Sequence, residues 1–145
     1  MPKDEISREA WKLMVGLVYP PRWLAIARKL GLTPPGLGAL RLLDEPRTMG
    51  EIATFLHCDP SNVTGIVDNL EEKGLAERRP SPQDRRVKLI ETTAAGRRLR
   101  ARLVREMEKP PEWMQALSEE DQRTLRDLLQ RAVETTSGPP SGPTS

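Results

Sequence analysis

Between Asp59 and Gly65 four small residues stand almost together, Ser61, Asn62, Thr64 and Gly65. Hydroxyls and a carboxamide both donate and accept hydrogen bonds, and side chains this short let a helix backbone approach whatever they touch. A second group, Arg78, Arg79, Asp84, Arg85, Arg86 and Lys88, surrounds the proline-rich stretch that starts at Pro80. The formal net charge is only +2, yet residues 76–105 carry ten basic residues against three acids, a local net of +7 that leaves −5 for the remainder. Charge gathered in this way is the footprint of a chain that displaces counterions from a polyanion. With short hydrogen-bonding side chains nearby, the chemistry expected is recognition of double-stranded DNA. Ser61, Asn62, Thr64 and Gly65 fit the major groove, and the arginines fit phosphates and the adjacent minor groove.

Other chemistry finds little support. The single histidine, His57, and the single cysteine, Cys58, make neither a metal-ligand set nor an internal disulfide. Nucleophiles lack a base at usable spacing, and there is no glycine-rich phosphate loop, so neither an enzyme nor a cofactor is expected. Cys58 reads as a small, buried, hydrophobic side chain.

These residues need a frame. From Glu5 to Leu30, apolar residues recur at helical spacing on both sides of Pro20 and Pro21, which predicts a kink or break between two helices. Thr33 caps a helix entered through Pro34 and Pro35, and Thr48 with Glu51 forms a capping box for the next. Asp59 is the expected N-cap of a third helix, with Pro60 at its first position and Val63, Ile66, Val67 and Leu70 forming its apolar stripe. Gly74 stops it. Two strands are predicted near Leu75 to Arg79 and Arg86 to Glu91, in which Val87 and Leu89 alternate with Lys88 and Ile90. Thr92 or Thr93 then caps a long basic helix with Leu99, Leu103 and Met107 on one side, ending at Pro110 and Pro111. A last helix follows Ser118, which with Asp121 makes an acidic capping box.

Helix, turn, helix and hairpin in this order predict a mainly α fold with a small β-hairpin wing: a winged helix-turn-helix domain plus a helical dimerisation domain. The expected divisions are 1–32 and 97–135 as N- and C-terminal dimerisation elements, 33–96 as the DNA-binding domain, and 136–145 as a disordered tail. Five aromatic residues in 145 imply an aliphatic core, and 30% charged residues a wet surface. The longest apolar runs fall well short of the ~20 residues of a membrane span, and no signal-peptide pattern opens the chain, so a cytoplasmic location without membrane contact is expected.

The stretch from Thr48 to Leu99 resembles the DNA-binding region of the MarR (multiple antibiotic resistance regulator) family, and the flanking helices resemble its dimerisation elements. The resemblance runs from about Arg22 to Val133. It is most specific in the recognition helix, in the "LEEKGLAERR" and "DRR" that follow, and in a strand-to-helix junction matched here by residues 91–96. It implies that Asp84 braces the wing by pairing with an arginine, that Arg86 enters the minor groove and that Arg85 contacts phosphate. It further implies a homodimer on a pseudo-palindromic operator, acting as a repressor released by a small, often aromatic or phenolic, effector. Trp11, Met14, Tyr19 and Trp23 are the candidate ligand pocket. The alternative is a winged-helix module that binds proteins, or binds DNA without sequence preference.

Overall fold

Pro20 and Pro21 withdraw two backbone donors in succession, and the first helical stretch breaks there. α1, Lys3–Val18, ends before the cis Tyr19–Pro20 peptide, and α2, Arg22–Lys29, begins beyond it. The computed structural model describes residues 2–136, so the expected disordered tail, 136–145, lies outside the described residues except for Thr136. The chain forms two compact units, one ending at Glu108 and one starting at Lys109.

In the first unit, α3 (Pro34–Leu42) is capped by Thr33, whose Oγ1 accepts from the Gly36 N–H at 3.1 Å. α4 (Met49–Leu56) opens on the expected box: the Glu51 N–H donates to Thr48 Oγ1 at 3.1 Å, and the Thr48 N–H to Glu51 Oε1 at 3.4 Å. α5 (Pro60–Glu72) ends at Gly74, whose φ of +68° lets its N–H reach the Glu71 carbonyl while the Leu75 N–H reaches that of Leu70. Thr93 caps α6 (Ala94–Glu108), its Oγ1 accepting from the Gly96 N–H at 3.0 Å. α3, α4 and α5 pack on one another, and α6 packs on α2, α3 and the sheet. Leu40, Leu43, Ile52, Val63, Val67, Leu70, Ile90 and Leu103 are fully buried among them. Each such side chain contributes roughly 1.5–3 kcal/mol by leaving water.

The sheet has three antiparallel strands in the order β1 (Arg47–Thr48), β3 (Lys88–Thr92), β2 (Ala76–Pro80). Arg47 faces Ile90 on one side of β3, and Arg78 faces Ile90 on the other. Two details of the sheet differ from the sequence-based expectation. β1 was not foreseen, since two residues between helices show no period. The strands start one or two residues later than expected; of the alternating residues Ile90 is buried, Leu89 is half-buried and Val87 is 39% exposed. The expected boundary at 96/97 falls inside α6, which runs unbroken with Gly96 and Leu103 both buried.

In the second unit, Pro110 and Pro111 are followed by a single-turn helix, α7 (Glu112–Gln115), which the sequence did not announce. α8 (Glu119–Thr136) opens as expected, the Asp121 N–H donating to Ser118 Oγ at 3.1 Å. Neither α1 nor α8 contains a buried residue, although both carry large apolar side chains. Among the described residues no helix is long and apolar enough to cross a membrane.

Candidate nucleic-acid interface

The apolar stripe of α5 is consumed by the core: Val63, Val67 and Leu70 are buried and Ile66 is half-buried. That orientation leaves Ser61, Asn62, Thr64 and Gly65 exposed on the other side. None of the three polar side chains hydrogen-bonds to another described residue, so their donors and acceptors are directed to solvent or to a partner. Gly65 deserves separate notice because a Cβ built on it meets nothing within 4 Å. Glycine inside a helix costs roughly 1 kcal/mol relative to alanine, and the chain's own packing gives no reason to accept that cost. Gly65→Ala is therefore expected to raise the melting temperature by a few degrees, read by calorimetry, while weakening binding to any DNA that approaches the helix backbone closely.

At the start of α5 the capping expectation needs correction. Asp59 occupies the N-cap with extended backbone, but its carboxylate accepts no cap hydrogen bond. The Asn62 N–H instead donates to the Asp59 main-chain carbonyl at 2.9 Å, and Pro60 has no N–H to offer. In the preceding turn His57 is left-handed, with φ 52°, and Cys58 is half-buried, its N–H held by the Ala53 carbonyl at 3.1 Å.

The wing is built around one tight turn. The Val87 N–H donates to the Asp84 carbonyl at 3.0 Å, which makes Arg85 and Arg86 the two central residues of a β-turn. Asp84 fixes that turn with its side chain: Oδ1 accepts from the Arg86 N–H at 3.0 Å and from Arg86 Nε at 3.0 Å, and Oδ2 accepts from Nη2 at 3.1 Å. The side-chain and backbone bonds from Arg86, in that order, hold the Asp84 carboxyl below the usual carboxylate range. Asp84 thus aims the guanidinium and leaves Nη1 without a partner among the described residues, on a side chain 91% exposed. Arg85 and Lys88 are exposed and have no partner among the described residues. Beneath the tip, buried Ser81 pins the loop through its N–H to the Val87 carbonyl (2.8 Å) and its Oγ to Gln83 Oε1 (3.0 Å).

Two arginines assigned with these to the DNA face are engaged within the fold. Arg78 Nη2 lies 2.8 Å from Asp68 Oδ1, and its Nη1 pairs with Glu71. Arg79 bridges Glu77 and Glu91, both at 2.7 Å. The reason is local: Glu77 pairs with Glu91 across the β2–β3 ladder, and two like charges facing each other draw in a cation. Asp68, Glu71, Glu77, Glu91 and Ser81 were not foreseen as partners; a visible signal was the acidic pair Asp68 and Glu71, three residues apart near the end of a helix with no basic residue. Farther along, Arg97 Nη1 donates to the Thr92 carbonyl and Arg100 Nε to that of Arg41, while Arg98, Arg102 and Arg105 are exposed. The candidate ligand residues Trp11, Met14, Tyr19 and Trp23 are exposed by 66, 45, 73 and 39%.

What remains outward is a helix with a hydrogen-bonding face and a turn with two projecting arginines, both mounted on one core. A MarR family model matches residues 32–88. A protein of Thauera aromatica named as a candidate transcriptional regulatory protein for the hcr operon is 31% identical over 114 residues, 77% of this chain and 69% of that protein. The crystal structure of YusO from Bacillus subtilis superposes with a TM-score of 0.71 at 25% identity, covering 95% of this chain and all of the other. A MepR variant of Staphylococcus aureus bound to an oligodeoxyribonucleotide superposes at 0.59 and 23% identity, over 94% of this chain and 99% of that one, a likeness of fold.

Proposed function

The chain belongs to the MarR family, a DNA-binding transcriptional regulator and not an enzyme, and from that premise we propose that it is a homodimeric repressor of a pseudo-palindromic operator. The N-terminal part of α5 enters the major groove, where Ser61, Asn62 and Thr64 meet base edges and phosphates and Gly65 permits close approach. Arg86 enters the neighbouring minor groove, and Arg85 and Lys88 hold its phosphate walls. The observation that carries this reading is the pairing of two unsatisfied surfaces on one rigid core: the free polar face of α5 and the Asp84-aimed arginine of the turn. Selection of operators from random DNA, followed by mobility shifts over a salt series, tests it. One preferred palindrome with steep salt dependence supports the regulator, whereas equal affinity for unrelated duplexes defeats it.

The dimer is proposed from surfaces that the single chain leaves uncovered. On α1, Trp11, Met14, Val15 and Val18 are exposed, and on α8, Leu128, Leu129 and Val133 are exposed by 50, 44 and 63%. Apolar stripes of this extent on terminal helices fit burial against a second copy. Residues 1–32 and 97–135 then serve dimerisation and 33–96 serve DNA. Leu129→Asp is expected to give a monomer in analytical ultracentrifugation and to weaken operator binding at least tenfold, because the half-sites lie about 34–36 Å apart and one protomer spans only one of them. A monomeric variant that keeps parental affinity would refute the arrangement.

Trp11, Met14, Tyr19 and Trp23 provide apolar and aromatic surface, the first two shared with the proposed dimer contacts, which suits an aromatic or phenolic effector that loosens operator binding.

A further inference from the structure

Arg78 has the composition of a DNA contact and the surroundings of a strut. It lies on β2, at the base of the wing, and its side chain is only 29% exposed where that of Arg86 is 91% exposed. Its two terminal nitrogens are taken by two carboxylates of α5, Asp68 at 2.8 Å and Glu71. Three residues apart, those carboxylates project from one side of the helix. The hydrogen bond to Asp68, followed by the nearby charge of Glu71, outweighs partial burial and holds the guanidinium more firmly charged than usual. A fork of donors meeting two acceptors on another element fixes direction as well as distance.

We infer that Arg78 is a positioning residue: by clasping Asp68 and Glu71 it sets the angle between the recognition helix and the wing, so that α5 and Arg86 engage adjacent grooves in register. This rests on the DNA-reading function proposed above. It also gives Asp68 and Glu71 a purpose, since two acids on a helix that approaches a polyanion otherwise only weaken binding.

A phosphate-contact role for Arg78 and a clasp demand opposite results from one variant. Asp68→Asn with Glu71→Gln removes two negative charges and releases Arg78. If Arg78 were a restrained phosphate contact, the variant would bind operator and random DNA more tightly, with a steeper salt slope by about one unit. With the clasp, operator affinity falls about 5- to 20-fold while random-duplex affinity holds or rises, so that discrimination is lost. Arg78→Met should lose the same discrimination, and adding it to the double variant should cost little more, because the three residues act as one unit.

Amide exchange on the DNA-free proteins supplies a readout independent of any operator. Faster exchange across 76–92, with unchanged protection around Leu40, Val67 and Leu103, is the result expected of a released wing. That result without any operator preference in the parent chain would keep the clasp and dismiss the DNA-reading function. Unchanged wing exchange, or tighter operator binding by the double variant, overturns the clasp.

Discussion

An Arg85→Ala, Arg86→Ala double variant is expected to lose operator affinity by about 30- to 1000-fold while melting within a degree or two of the parent. The magnitude follows from adding contacts over both protomers: each half-site loses one minor-groove arginine and one phosphate contact, roughly 1–2 kcal/mol per half-site after solvent and salt have taken their share. The near-constant stability follows from exposure. Arg86 is 91% exposed; among the described residues its only partner is Asp84, two residues away, and Arg85 has none. Ion pairs of that kind contribute little to folding. Mobility shifts and calorimetry on one preparation separate the two effects. A variant with parental affinity would remove the wing tip from the interface.

The second large effect lies where the wing joins α6. A Cβ at Gly96 would stand 1.9 Å from the Leu75 carbonyl oxygen and 2.9 Å from its carbon. Those atoms are backbone, and that same oxygen accepts the Thr93 N–H at 3.1 Å, so no rotamer change relieves the clash. Either α6 moves off the sheet or the hairpin shifts, and both disturb the packing of Ile90 and Leu103. Gly96→Ala is expected to cost on the order of 3 kcal/mol and to lower the melting temperature by about 10 °C. DNA binding should fail with it, and lowering the temperature until the variant is folded should restore at most part of it. Unchanged melting would show that α6 does not approach β2 and β3 this closely.

These two expectations mark what a sequence can and cannot disclose. The recognition helix was legible because Val63, Ile66, Val67 and Leu70 recur at helical spacing, and burying that stripe settles which side stays outward. The caps at Thr33, Thr48 and Ser118 were legible because their chemistry is complete within three residues. Asp59 misled for the same local reason. The Asn62 N–H is taken by the main-chain carbonyl of Asp59, and the Asp59 carboxylate takes no helix N–H.

The wing tip was readable in outline, from an acid and two arginines in a proline-rich turn. Partner choice was not. Whether a basic side chain is held by another element depends on what packs beside it: Arg78 meets carboxylates of α5 and Arg79 one of β3, whereas Arg86 meets only its turn neighbour Asp84 among the described residues. β1 escaped notice because Arg47 and Thr48 become a strand only by pairing with Ile90 and Leu89, more than forty residues later. The need for glycine at position 96 likewise comes from the Leu75 carbonyl, which α6 reaches only after the hairpin has folded back.

Groove-specific methylation interference on the selected operator probes the central claim most directly, because guanine N7 lies in the major groove and adenine N3 in the minor. For the parent chain, N7 methylation at two half-site centres about one helical turn apart and N3 methylation in the neighbouring minor grooves should both block binding. For the Arg85→Ala, Arg86→Ala variant, the N7 pattern should persist and the N3 pattern should vanish. An N3 pattern unchanged by loss of both arginines, or no N7 interference in the parent, would contradict a helix in one groove and a wing in the next.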